Sequence, residues 1–361
     1  MAFTSNYSAW DKLFYYVSSA LGGAQLALSD LEDFIYKEKI SRFSSESPVF
    51  ISGLPRAGTT LLLEVLESSG DFFSHSYRDM PLVVTPLFWS KISARFHADV
   101  EAQPRAHDDG MMVDIDSPEA LEEMLWVPFW KQQYSKKGIL PWDPRFSHEE
   151  FESFFKCHIK KLAYREWLAS AKIKRYLSKN NLNISRVGYL AKAFPNARIV
   201  IPFRSPLDHA SSLLRQHNNF TEMHGRDSFS RRYMRQLGHF DFGHNFSPVR
   251  FYDWNNNDDL PSEFSISFWL LYWINTYRYL INSQPRQAGF FSYDGFCSGP
   301  EKSIDSLSGF IDSPFDVMPD DLVGRITTKK SYQVNEDNVD ETLLVEASNL
   351  HSELLELAIN R

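Results

Sequence analysis

The 361-residue sequence predicts an α/β fold in which a parallel sheet is flanked by helices, with helical insertions between its strands. Three segments predict it. Val49 to Ile51 is a short apolar run that passes through a Gly/Pro/Arg turn into a helical pattern opening at Thr59–Thr60. Ala197 to Phe203 is a second apolar run, followed by Arg204 and then by Pro206, which suits a first helical turn. Gly289 to Ser292 reads as a third strand, preceded by a helix rich in Trp and Tyr over about 264–281. In such sheets anions bind in loops at the carboxyl ends of the strands.

The remaining elements follow in chain order. Residues 8–38 carry apolar side chains at helical spacing, interrupted by Gly22–Gly23, so two helices are expected within an N-terminal segment 1–45. These helices are expected to cap the domain, to pack on a partner, or to line an acceptor site. Strand 48–53 and helix 59–69 flank the loop. Residues 70–116 read as irregular, punctuated by Pro81, Pro86 and Pro104. Pro118 is expected to open a helix that runs to about Trp126, with Glu122 and Glu123 facing an acceptor or, as the preferred reading, lying on a solvated face. A long amphipathic helix covers 149–170 and a shorter one 172–176. Asn255 to Asp259 marks an exposed loop, and a last helix covers 340–358. We expect one domain over 1–361, in which 70–175 and 216–265 are insertions on the acceptor side.

Composition narrows the function. A 43% hydrophobic content supplies a large core, and a net charge of −8 speaks against a general nucleic-acid binder, which needs a basic face. A local positive pocket is still enough for one nucleotide. With 29 Phe, 16 Tyr and 9 Trp, aromatic rings in excess of the core's needs would suit stacking against a sugar or ring. Cys157 and Cys297 are far apart and form neither metal-ligand spacing nor a disulfide framework. The N-terminus shows no signal-peptide pattern, and the longest apolar stretch, Phe268 to Ile274, is too short to span a bilayer. A cytoplasmic protein without an integral span is expected.

The loop Pro55-Arg56-Ala57-Gly58-Thr59-Thr60 carries the chemistry. Strand, tight loop and helix N-terminus point backbone N–H groups at an anion. Arg56 adds fixed charge, and Thr59 and Thr60 add hydroxyl donors. The loop lacks the Gly-Lys-Ser/Thr of nucleoside triphosphatases, which argues against a Mg²⁺-chelated triphosphate. After the strand at 197–203, Arg204 and Ser212 offer a guanidinium fork and a hydroxyl for another phosphate.

Together these elements resemble the sulfotransferases that use 3′-phosphoadenosine 5′-phosphosulfate (PAPS), especially bacterial and tyrosylprotein types. Residues 48–80 and 175–215 carry the resemblance, and 264–300 do so more loosely. It implies a P-loop-like sheet and no metal requirement. It implies that loop 55–60 holds the 5′-phosphosulfate, and that Arg204 and Ser212 hold the 3′-phosphate of PAPS or of its product nucleotide PAP. Lys179 would stand near the transferred group, although Asn180–Asn181 replace the family's Thr-Pro; a solvated helix-end lysine is the competing reading. Tyr293, followed by Asp294 where the family has Glu, would lie near the adenine. A late basic loop, from Arg325, Thr327, Thr328, Lys329 and Lys330, would fold over the nucleotide; a solvated charge cluster competes.

The transferred group is planar and electron-poor in the transition state, so positioning and electrostatics dominate. Arg56, with Lys179, would stabilise the bridging and sulfuryl oxygens. The acceptor hydroxyl needs a base, and the resemblance points to the segment Ser74 to Asp79, where Asp79 or His75 would serve, with Glu64 a further choice. The competing readings are an Asp79–Arg78 ion pair and a structural histidine. His107-Asp108-Asp109 and Asp114/Asp116 lack metal-site spacing and read as an exposed acidic loop. The expected activity is sulfuryl transfer to a hydroxyl of a glycan, glycolipid or small molecule. The alternatives are a P-loop nucleotide kinase and a non-catalytic PAP-binding relative.

Overall fold

Side chains alternate across the central strands, and that alternation builds three layers. The computed structural model describes residues 12, 16, 23–80, 82–93, 103–104, 112–113, 121–135, 137–252, 260–314, 320–327 and 339–361. Its main sheet has five strands: β1 Val49–Ile51, β2 Phe72–Phe73, β3 Arg175–Lys179, β4 Arg198–Phe203 and β5 Ala288–Ser292. All pair in parallel, in the order β2-β3-β1-β4-β5. Val49, Ile51, Leu177, Val200 and Phe291 face one side. There they meet Leu62, Leu63 and Leu66 of α2 (Thr59–Ser68), Leu307 of α11 (Pro300–Ile311) and Ile326 of α12 (Asp320–Thr327). Phe50, Ile199, Ile201, Phe203 and Phe290 face the other. They meet Phe155 of α5 (Glu149–Ser170), Leu190 of α6 (Val187–Ala193), Tyr277 of α9 (Ile266–Ser283) and Leu354 of α13 (Glu341–Leu357). Each such side chain contributes ~1.5–3 kcal/mol on full burial.

Pro202 sits inside β4, where a missing N–H would normally break a ladder. It is tolerated because β1 ends opposite Val200, and its last contact is Ser52 N–H to the Val200 carbonyl at 2.9 Å. The departing chain crosses Pro202 closely: a Cβ on Gly53 would stand 2.8 Å from Pro202 Cγ.

The helix expected over 172–176 is corrected. Residues 175–179 form β3, which pairs with β1 on one side and β2 on the other. Five residues with only Tyr176 and Leu177 apolar carry too little periodicity to separate the two structures, and strand pairing on both sides decides. Residues 72–73, expected to be irregular, form β2. α1 (Ala24–Ile40) packs on α5, held by Lys161 Nζ at 3.1 Å from Glu32 and 2.8 Å from Asp33. The helix expected to end at Trp126 is present as α4 (Glu123–Trp126), preceded by α3 (Pro86–Ser93). Most of the first N-terminal helix, the start of the 118–126 helix, both acidic stretches and the 255–259 loop lie outside the described residues. Among the described residues, no helix is long and apolar enough to cross a membrane.

Candidate active site

The chain direction across the sheet reverses at β1 and β4, so the loops leaving these adjacent strands open into one crevice. The loop after β1 bends through left-handed backbone at Arg56 (φ 71°) and Gly58 (φ 84°) before α2 begins. An arginine held at positive φ stores roughly 1–3 kcal/mol, which surrounding contacts must offset. Gly58 has a second constraint: an added Cβ would lie 2.2 Å from Tyr293 Cδ2. The loop is clamped from α7 (Pro206–Arg226) by His209, whose Nε2 lies 2.9 Å from the Pro55 carbonyl. Burial pushes the His209 imidazole down to about 3, so it is neutral and donates this bond from Nε2–H.

Arg56 reaches the same helix, its Nε–H donating to Ser212 Oγ at 3.2 Å. Arg204 leaves β4 nearly buried, with its guanidinium carbon 5.5 Å from the Tyr293 ring centre. Tyr293 opens α10 (Tyr293–Ser298), and burial raises its hydroxyl to about 12. Asp294 accepts from the Ser205 N–H at 2.7 Å, locking the end of β5 to the start of α7. Arg56, Gly58, Arg204, Ser212 and Tyr293 therefore stand together, although they come from three separate stretches of chain.

Beside the loop lies a narrow cleft with an enclosed volume of about 50 Å³. It is lined by Pro55, Arg56, Thr59 and Thr60 of the loop, by Lys179, Asn180 and Asn181 after β3, and by Glu123, His239 and Asp241 from the insertions. Lys179 is the last residue of β3, level with Ile51 of β1, which puts its side chain beside the loop. Ala57, within the loop, is fully buried. Arg325 pairs with Glu64 on α2 at 2.6 Å, which places α12 alongside the loop helix. Thr328, Lys329 and Lys330 lie outside the described residues.

His75 and Asp79 are not among the cleft-lining residues. They belong to a buried network. Asp79 is fully buried, pairs with Arg165, and accepts from Ser76 N–H at 3.1 Å. His75 Nδ1 lies 3.1 Å from Asp79, and its Nε2 lies 3.4 Å from His158 Nε2. Burial alone would raise the Asp79 carboxyl, but Arg165 and then His75 outweigh it and hold it well below the usual carboxylate range.

Other cleft residues carry no site signal in the sequence. Glu123, expected on a solvated face, is corrected: it is 2% exposed. Its carboxylate accepts from Asn180 Nδ2 at 2.7 Å, from Tyr134 and from Arg186, which stacks 3.9 Å from the Trp126 ring centre. Glu122 is likewise buried and accepts from Trp126 Nε1 at 3.0 Å and Tyr176 at 2.9 Å. The Asn180–Asn181 pair, a departure from the expected element, supplies the bonding. Asn181 accepts from Thr59 Oγ1 at 3.5 Å and donates to Asp241 Oδ2 at 3.0 Å. His239 and Asp241 carry no motif. They follow α8 (Ser228–Gln236) and reach the cleft because Gly238 (φ 83°) presses on Glu123, where a Cβ would stand 2.5 Å from the Glu123 Cβ.

A parallel sheet with a strand–loop–helix turn at its switch point, and cationic side chains beside a cleft at its strand ends, places the protein among the α/β folds with a P-loop-like architecture. The profile of the sulfotransferase family matches residues 48–253, more than half of the chain, and the chain belongs to that family. It is similar to sulfotransferase STF1 of Mycobacterium tuberculosis H37Rv, at 13% identity and a TM-score of 0.47, covering 91% of this chain and 82% of that one. It is also similar to sulfotransferase STF9 of Mycobacterium avium, at 13% identity and a TM-score of 0.45, covering 90% and 80%. A sulfotransferase of Alicyclobacillus acidocaldarius, at 12% identity and a TM-score of 0.40, covers 86% and 96%. No curated protein matches.

Proposed function

We propose that the cleft binds PAPS and moves its sulfuryl group to a hydroxyl of a glycan, glycolipid or small-molecule acceptor. The donor set fits such a nucleotide. Loop 55–60 and the N-terminus of α2 would take the 5′-phosphosulfate, Arg204 and Ser212 the 3′-phosphate, and Tyr293 would lie near the adenine. Arg56 and Lys179 would stabilise charge on the bridging and sulfuryl oxygens. The acceptor oxygen bonds to sulfur as the bond from sulfur to the bridging phosphate oxygen breaks. PAP leaves with that electron pair, and the acceptor's proton passes to a base. Residues 121–135 and 238–242, from the two insertions, would shape the acceptor side, and the late basic segment at Lys329 would cover the nucleotide.

The observation that carries this reading is the Arg56–Ser212 hydrogen bond, which brings the loop after β1 against the helix after β4. Thermal unfolding with PAP, set against ATP with Mg²⁺, tests it. PAP at about 100 times its Kd is expected to add ~2.7 kcal/mol of stability. Transfer of labelled sulfuryl from PAPS to a panel of phenols, sugars and sterols tests turnover. A shift with ATP alone would favour the kinase reading; a PAP shift without transfer would favour a non-catalytic binder.

A further inference from the structure

We propose that Asp241 is the catalytic base that takes the acceptor's proton. This rests on the sulfuryl-transfer reading, and it moves the role away from Asp79 and His75. A base must reach the acceptor oxygen where it meets the transferred group. Asp79 is fully buried and tied to Arg165. Its partner His75 packs at the level of Tyr176, ring centres 6.1 Å apart. Tyr176 lies three residues before the cleft lysine Lys179, about 10 Å along a strand.

The cleft contains two carboxylates, and their bonding separates them. Glu123 accepts hydrogen bonds on both oxygens, from Tyr134, Asn180 and Arg186, so its capacity is committed to holding the wall. Asp241 accepts one hydrogen bond, on Oδ2 from Asn181, and Oδ1 accepts none among the described residues. The same Asn181 side chain takes the Thr59 hydroxyl, so one amide spaces the carboxylate from the anion loop. Asp241 thus lines the same cleft as Arg56 and Lys179.

Electrostatics suits the role. Burial raises the Asp241 carboxyl above its ordinary value, and Glu123 raises it further. Asn181, His239 and Lys179 oppose this without reversing it. In the proposed step the Asp241 carboxylate gains the proton released as the acceptor O–S bond forms, and PAP departs with the electrons of the broken S–O bond. Charge balances without a metal or an oxidant.

The test uses the full chain, PAPS, and a series of phenols of differing acidity. Asp241→Asn is expected to keep the thermal shift given by PAP and to lose about 10²–10⁴-fold in kcat. The loss is expected to shrink as the phenol becomes more acidic, because an ionised acceptor needs no base. Asp241→Glu is expected to recover part of the rate, and the acid limb of the kcat–pH profile to vanish in Asp241→Asn. An Asp241→Asn enzyme that binds PAP and turns over at the normal rate would overturn the assignment. So would a loss that is equal for every phenol, or a loss found in His239→Ala but absent from Asp241→Asn. Failure of the unmodified protein to bind PAP or to transfer sulfuryl would instead sink the parent reading.

Discussion

Arg56 donates its Nε–H to the hydroxyl of Ser212 at 3.2 Å across 156 residues of sequence. One side chain leaves the loop after β1 and the other sits on the helix after β4. Because these strands are neighbours in the sheet, the bond couples a loop and a helix that the chain keeps far apart. Arg56→Ala is expected to weaken PAP binding by about 1.5–3 kcal/mol, the range for hydrogen bonds to charged groups. Ser212→Ala is expected to cost about 0.5–1.5 kcal/mol. Isothermal titration with PAP measures both, and Arg56→Lys should recover little because ammonium cannot reproduce the guanidinium fork.

Gly58→Ala is expected to destabilise the protein in two ways. The left-handed backbone costs a Cβ-bearing residue about 1–2 kcal/mol, and contact with the Tyr293 ring adds about 1–3 kcal/mol of overpacking. A double-mutant cycle with Tyr293→Ala separates the terms, since the double variant escapes only the ring contact. Additive effects in denaturant unfolding would mean that the ring does not oppose the side chain.

Asp79→Asn is expected to cost about 3–5 kcal/mol in urea unfolding, because it leaves Arg165 with an uncompensated charge at the edge of the core. The depressed Asp79 carboxyl stabilises the fold fully above the unfolded-state value near 3.9, and this contribution fades as pH falls below it. The wild type should therefore lose stability on acidification more steeply than Asp79→Asn. Where Asp79→Asn and His75→Ala remain folded, kcat with saturating PAPS should stay near normal; a large kcat loss in either would return the base role to this network.

Glu67 behaves in the opposite sense. Burial raises its carboxyl to about 7, and the nearby Glu166 adds to this against the hydrogen bond from Ser74. A raised carboxyl favours the folded state below the unfolded-state value near 4.3, and that advantage is lost as pH rises to 7. Stability should fall by a few kcal/mol at most between about pH 4.5 and 7, then level off. Glu67→Gln should flatten that slope and raise stability at pH 8, as read from unfolding midpoints across pH.

The elements that were legible are those whose signal is local. The loop at 55–60 needs small and turn-forming residues between a buried strand and a helix start, so its pattern shows in six letters. β4 announces itself as an apolar run even through Pro202. β3 does not: Tyr176 and Leu177 alone carry its pattern, and a strand between two partners need not show a period. Glu123 shows how a charged pair at a helix start reads as solvated until Arg186, 63 residues away, arrives to satisfy it.

By itself the chain specified the strand–loop–helix turn at 49–68, the arginine ending the second long strand and the family, because each depends on backbone conformations and motifs that neighbouring residues dictate. Only the tertiary structure decided which carboxylate looks into the cleft. Asp79 and Asp241 are chemically the same side chain, and what divides them is company: the Arg165 guanidinium pairs with one, while the Asn181 amide bonds the other at the cleft wall. Such differences arise from contacts between residues tens to hundreds of positions apart, which no local pattern encodes.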